Sequence, residues 1–246
     1  MFVPKTERIK KLAEKYEKVI KELENIFDKE TFVYIDFANV IHWQDKLKWH
    51  ICIKRLKQLL DSFDTIKGIK IYYGTLENNS NSLEMIDSIK NSGYDLRTKP
   101  VKIIKKSIDV SSIDMGSPAL LKNFIKKSFL TKLKIETIKA INKDLRELNK
   151  NNIFYIEDEK CNFDVEIGID MLLDGEDGAI NNFILWSGGS DFAFPVKDLL
   201  VRNKKVLLFT IARMAGPELM ETGVRVFDVR KIRDFICWTR EISILL

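Results

Sequence analysis

Cysteine and histidine are scarce in this chain of 246 residues. Its three cysteines, Cys52, Cys161 and Cys237, lie far apart and form no C-x-x-C pair, which argues against a disulfide framework or a thiolate zinc site. They read as isolated reduced thiols. With only two histidines, His42 and His50, a His-rich metal centre is excluded, and any metal has to sit on oxygen ligands. No apolar stretch approaches the roughly 18–20 residues needed to span a bilayer. The N-terminal MFVPKTERIKKLAEKYEKV lacks the continuous apolar core of a secretory signal. We therefore expect a cytoplasmic protein with no membrane partner. Hydrophobic residues make up 45% and charged residues 31%, a globular composition whose length suits one large domain or a domain plus an appendage.

Charge of one sign is unevenly spread. From Arg97 to Lys150 there are 14 Lys/Arg against 5 Asp/Glu, a balance of +9; the remainder holds 27 against 31, a balance of −4. The whole positive surplus of the chain lies in this middle segment, the footprint expected of a polyanion-binding surface. Lysine-rich helices that merely keep the chain in solution are the other reading. Lys122, Lys126, Lys127 and Lys134 are the candidate backbone-holding residues.

Residues 5–28 carry apolar positions in steps of three and four, at Ile9, Leu12, Tyr16, Val19, Leu23 and Ile26. This spacing predicts an amphipathic N-terminal helix over about 1–30, able to pack on its own chain or to join copies into a homo-oligomer. The rest, 31–246, reads as one domain with a Lys-rich helical elaboration at about 105–150. Short apolar strands are expected at 31–35, 69–74, 94–104 (interrupted at Pro100), 153–156, 182–187 and 205–210. Helical patterns fall between them at 47–63, 82–91, 118–129, 132–149, 163–174 and 191–202. Such alternation predicts an α/β fold with a mostly parallel sheet covered by helices on both faces. In sheets of this kind ligands bind beyond the carboxyl ends of the strands.

Carboxylates stand at those ends. The first strand runs into Asp36, with Asn39 three residues on. The strand NFILWS ends in Ser187, followed by Gly188, Gly189, Ser190 and Asp191. Asp164 opens the helix that begins near 163. Singly, Asp164 and Asp191 can be explained as favourable charges at helix N-termini, worth about 0.3–1 kcal/mol each. Gathered, they need protons or a cation: two carboxylates about 4 Å apart repel by roughly 4 kcal/mol at an effective dielectric near 20. Oxygen ligands suit Mg²⁺ or Mn²⁺. A hard cation in an acidic cleft beside a basic surface suits phosphodiester hydrolysis. The two glycines are no phosphate loop, because no Gly-Lys-Ser/Thr follows them.

YIDFANV (34–40), FDVEIGIDMLLDG (163–175) and WSGGSDFAFPVKDLL (186–200), in this order and followed by KKVLLF, resemble the NYN-domain family of the PIN-like nuclease superfamily, in particular its LabA-like branch. The resemblance covers about 31–235. It implies a Rossmann-like sheet and metal-dependent cleavage of RNA by clustered acidic residues. Carried over, Asp36, Asp164 and Asp191 become the catalytic and metal-holding carboxylates, and Asn39 positions a ligand, water or the scissile phosphate. Ser187 and Ser190 become substrate contacts. Asp170 matches another acidic position of the family, but it lies about 240° around a helix from Asp164 and is not expected to join it. The chain departs from the pattern at Gly189, where the family carries an aspartate. Two readings follow: a ribonuclease acting on single-stranded or flexible RNA, and a catalytically weakened or inactive module that binds RNA or a partner. Metal-independent acid–base cleavage through His42 and His50 is a third. Trp43 is either core or a stacking surface for an unpaired base.

Overall fold

The amphipathic N-terminal stretch forms two helices rather than one. In the computed structural model, which describes residues 1–77, 79–176 and 178–242, α1 (Glu7–Lys15) starts at Thr6, whose hydroxyl accepts from the Ile9 amide at 3.2 Å. It ends at Tyr16, where the backbone leaves helical geometry before α2 (Glu17–Ile26). Tyr16 is held there by its phenol, which donates to Asp234 at 2.5 Å; that bond pushes the phenol up to about 12. The apolar stripe survives the break. Ile9, Leu12, Ile20, Leu23 and Ile26 are buried in the core of their own chain, with Tyr16 and Val19 packed at its margin. Of the two uses expected for this stripe, the one seen is packing on its own chain.

Next come β1 (Thr31–Asp36), α3 (Phe37–Leu47), α4 (Ile53–Leu60), β2 (Ile66–Thr75), α5 (Ser80–Asn91) and β3 (Asp95–Pro100). The helical pattern expected at 47–63 is interrupted, because α3 closes on Lys48 in the left-handed region (φ 59°) and α4 starts anew. β4 (Lys102–Ser107), α6 (Lys127–Leu130), α7 (Ile135–Lys150) and β5 (Tyr155–Lys160) follow. The chain ends with α8 (Asp164–Glu176), β6 (Asn182–Trp186), α9 (Ala193–Val201), β7 (Lys205–Thr210), α10 (Pro217–Met220), β8 (Arg225–Asp228) and α11 (Arg233–Ile236). No described helix is long and apolar enough to cross a membrane.

The chain divides into two units, one of Met1–Pro100 with Asn162 onward and one of Val101–Cys161. The first holds a six-stranded sheet in the order β3-β2-β1-β6-β7-β8, every neighbouring pair parallel. Strands buried on both faces read as continuous apolar runs, as VYI in β1 and FILW in β6 do. Val33, Ile35, Ile184, Trp186, Leu207 and Phe209 share one core with α1–α5 and α11. The opposite face is covered by α8 and α9. This is a Rossmann-type α/β architecture. Successive strands run outward from β1 to β3 and, after the return, from β6 to β8. The β1–β6 boundary is therefore the point where the strand order reverses, and there a crevice opens.

The second unit corrects two expectations. The apolar run 94–104 breaks at Pro100 as expected; β3 edges the parallel sheet, while β4 pairs antiparallel with β5 in a separate ribbon, Lys102 opposite Lys160. The strand expected at 153–156 thus starts later and belongs to that ribbon. The helix expected at 118–129 shrinks to a 3-10 turn at Leu121–Asn123 and to α6. Leu121 and Ile125 stand one turn apart, but Leu120 and Leu130 fall off their stripe, so no single helix face could bury all four. Asn149 of α7 ties this unit together, accepting from the Val110 amide and donating to the Ile108 and Ile153 carbonyls at 2.9–3.1 Å.

Candidate active site

Register brings the first two site residues together. Ile35 pairs with Trp186 across β1 and β6, so the residues that follow, Asp36 and Ser187, emerge side by side at the carboxyl edge. Asp36 is only 4% exposed. It caps α3, accepting the Asn39 amide at 3.3 Å on Oδ1, and its Oδ2 accepts from the Asn39 side-chain amide. The Ser187 hydroxyl, fully buried, donates to the same Oδ2 at 3.2 Å. Ser187 therefore faces the carboxylate rather than solvent.

The two glycines after Ser187 have different reasons to be there. A Cβ on Gly188 would lie 2.7 Å from the Met214 carbonyl oxygen, and the Gly188 carbonyl accepts from the Gly216 amide at 2.8 Å. Close approach of two backbones demands glycine at 188. At 189 nothing does: φ is −66° and ψ 134°, and a Cβ would meet the Phe192 ring at 3.5 Å and Ser187 Oγ at 3.7 Å, ordinary contacts. The fold accepts a side chain at 189, directed toward the Ser187–Asp36 pair, and the sequence supplies none.

Asp191 follows in a 3-10 turn (Ser190–Phe192) and is exposed, as is Ser190. Asp164 begins α8, and its amide donates to Asn162 Oδ1 at 2.7 Å. The Asp164 carboxyl is pushed up to about 6. Desolvation is the largest cause; a hydrogen bond from Asn162 opposes it, and a hydrogen bond with Asp191 and the negative charges of Asp36 and Asp191 add to it. The three carboxylates thus feel one another across the β1–β6 crevice. Among the described residues no Lys, Arg or His forms an ion pair with any of them. Nor are three or more His, Cys, Asp or Glu among those residues drawn into a ready-made metal cage. An oxygen-only donor set is of the type that a hard divalent cation takes, although these three carboxylates do not form a three-ligand cluster.

Asp170 and Asp174 serve another purpose, which the motifs do not disclose. Tyr72 of β2 donates to Asp170 at 2.6 Å, and Tyr34 of β1 donates to Asp174 at 2.6 Å. Lys70 bonds Asp174 at 2.5 Å and lies 3.8 Å from Asp170. Burial, followed by these bonds, raises both phenols far above their usual range. One helical turn apart, the two carboxylates set the rotation of α8 on the sheet, which leaves Asp164 at the strand ends. The i, i+4 acidic pair on α8, facing tyrosines that alternate with the apolar residues of β1 and β2, was the available signal.

Three further expectations are resolved by burial and bonding. Trp43 is 1% exposed and part of the core, so it offers no face for a base. His50 is engaged elsewhere, its Nδ1 2.7 Å from Glu241 and its ring stacked on Trp238 at 4.2 Å, while His42 is exposed on α3. Lys122, Lys126, Lys127 and Lys134 are all exposed in the second unit. Beside Asp164 and Asp191 a groove of about 660 Å³ opens between α8 and α9.

Comparison with known proteins agrees with this architecture. No curated protein matches the chain. A crystal structure of a protein of unknown function from Vibrio parahaemolyticus RIMD 2210633 is similar in fold, with a TM-score of 0.53 at 16% identity over 85% of this chain and 97% of that one. Residues 119–229 match the NYN domain. That stretch holds the second and third sequence blocks with Asp164 and Asp191, while Asp36 lies before it. NYN domains are PIN-like nucleases that act on RNA and generally use divalent metal ions. Over residues 119–229, a little under half of its length, the chain is similar to the NYN-domain family.

Proposed function

We propose that this chain is a Mg²⁺- or Mn²⁺-dependent ribonuclease of the LabA-like kind, with Asp36, Asp164 and Asp191 as the residues that hold the ion. What supports this reading is the raised Asp164 carboxyl: besides desolvation, the charges of Asp36 and Asp191 reach it, and among the described residues no ion pair balances the three. A divalent ion bound there would activate water and neutralise charge on a phosphodiester. Asn39 and Ser187 keep both oxygens of Asp36 in one orientation, so Ser187 acts as a positioning residue, and the exposed Ser190 is left to contact substrate. Without an ion, Asp164 retains a proton in mildly acidic solution. The Lys-rich elaboration holds the backbone of a flexible RNA through Lys122, Lys126, Lys127 and Lys134.

The second reading, an RNA-binding module with weakened or lost catalysis, is favoured by one specific position. Gly189 has room for a Cβ next to Ser187, which bonds Asp36, and carries no side chain. The two readings separate in an assay of single-stranded RNA cleavage with Mn²⁺, with EDTA, and with an Asp36→Asn variant. Cleavage that requires Mn²⁺ and Asp36 supports the nuclease. RNA binding without cleavage under any of these conditions supports the module.

A further inference from the structure

Phe194, at the start of α9, is 74% exposed, three residues after Asp191. Across from it on α8 stand Val165, 70% exposed, and Ile169, 51% exposed, one helical turn apart. These three side chains wall the same groove whose mouth holds Asp164 and Asp191. An aromatic ring so open to water, beside a cluster of carboxylates, is an expensive thing to leave on a surface. The groove's volume, about 660 Å³, falls in the size range of sites that take single small molecules or monomer units.

We propose that this groove is a base-binding subsite, in which Phe194 stacks on an unpaired RNA base next to the phosphate held at Asp164 and Asp191. The proposal rests on the nuclease reading and adds to it the class of substrate, a strand with at least one base free to leave its neighbours. Three points select this occupant. Carboxylates and apolar wall belong to one continuous groove, so a strand whose phosphate is at the first must place a nucleoside against the second. The wall carries no unpaired charge: the one cation along it, Lys99, is bonded to Glu166 and lies 4.6 Å from the Phe163 ring centre. It therefore offers dispersion and stacking rather than hydrogen-bond readout, which suits bases of any sequence. A second copy of the chain seated on the groove would instead bury Asp164 and Asp191 with no counter-charge, a costly arrangement. A base inside a duplex has both faces covered by its neighbours and is not available to Phe194.

The test uses the full chain, Ca²⁺ in place of Mg²⁺ or Mn²⁺ with a phosphorothioate backbone to slow cleavage while keeping a cation at the carboxylates, and fluorescence anisotropy of a labelled single-stranded oligoadenylate beside a blunt RNA duplex of equal length. Stacking of one base is worth roughly fivefold to a hundredfold in affinity. Phe194→Ala is expected to weaken single-strand binding within that range and leave duplex binding unchanged. Phe194→Trp is expected to hold or improve single-strand binding. The exposed position keeps both variants folded, which their melting curves verify. If wild type binds the single strand and Phe194→Ala binds it equally well, the subsite is wrong while the nuclease reading stands. If Phe194→Ala changes only the mass of the particle in solution, the groove is an interface between copies and the proposal is overturned. If wild type binds no RNA at all, the functional reading itself falls, and the subsite with it.

Discussion

The Ser187 hydroxyl donates to the Asp36 carboxylate at 3.2 Å across 151 residues of sequence, joining the ends of the two strands that flank the reversal of strand order. Removing it by Ser187→Ala takes one donor from a carboxylate that is almost fully buried. The loss should cost about 1–3 kcal/mol, read as a lower midpoint in urea unfolding, and RNA cleavage should fall with it. Asp36→Asn should abolish cleavage altogether. An Asp36→Asn protein that cleaves at the wild-type rate would remove Asp36 from the active centre.

Asp164 gives stability a defined dependence on pH. Its carboxyl titrates at about 6 in the folded chain, above the unfolded aspartate value near 4. Between those values the folded state holds the extra proton. The contribution of this group is therefore fully present below about 4 and is lost as pH rises toward 6 and beyond. Asp164→Asn should melt at a higher temperature than wild type at pH 8, and the gap should close as pH approaches 4. Added Mn²⁺ should raise the wild-type melting temperature at pH 8 and do so far less at pH 5, because ion and proton compete for the same oxygens. Calorimetry across this range checks both, and a gap that does not change with pH counts against the carboxylate cluster.

The two adjacent glycines should respond in opposite ways. Gly189→Asp places a Cβ in ordinary contact with Phe192 and Ser187 on unstrained backbone. It should tighten Mn²⁺ binding and speed cleavage, while lowering metal-free stability through the added negative charge. Gly188→Ala forces a Cβ to within 2.7 Å of the Met214 carbonyl. It should destabilise the fold and lower activity without improving metal affinity. Metal titration and thermal melts of both variants decide; a Gly189→Asp protein no better at binding Mn²⁺ means the site is not short of a ligand.

Polyanion affinity should reside in the basic segment. Charge reversal at Lys122, Lys126, Lys127 and Lys134, all exposed, should leave the melting curve nearly unchanged and weaken RNA binding. Each single-strand phosphate that is no longer neutralised should flatten the salt dependence by about 0.7. Binding isotherms over a range of salt concentrations report both quantities. Unaltered affinity and slope would exclude these four lysines.

The N-terminal helices should stabilise the chain itself. Leu12→Ala should cost about 2–5 kcal/mol, since Leu12 is buried among Ile9, Leu23 and neighbours from the body. The mass in solution should stay the same. Urea unfolding with sedimentation distinguishes this from a role in assembly, where mass would change and monomer stability would not.

Local pattern in the sequence was enough for the strands that carry the site. The runs VYI, FILW and VLLF are apolar on every residue, which only strands buried on both faces require, and they coincide with β1, β6 and β7. The same logic placed Asp36 and Ser187 at strand ends and made the class parallel α/β. It could not say that β1 lies beside β6, because periodicity records which face of an element is buried and not which distant element buries it. That pairing put Ser187 on Asp36. Only tertiary packing separated Gly188, hemmed in by Met214, from Gly189, which is not. Trp43 and Phe194 are both aromatic residues near the site by sequence, yet one is sealed in the core and the other faces water. Asp170 and Asp164 share a helix, yet the phenols of Tyr72 and Tyr34 decide its rotation and with it which carboxylate reaches the crevice. Short-range pattern is set by burial of a face, which one segment encodes alone; the site is set by close approach between residues far apart in the chain, which no single segment encodes.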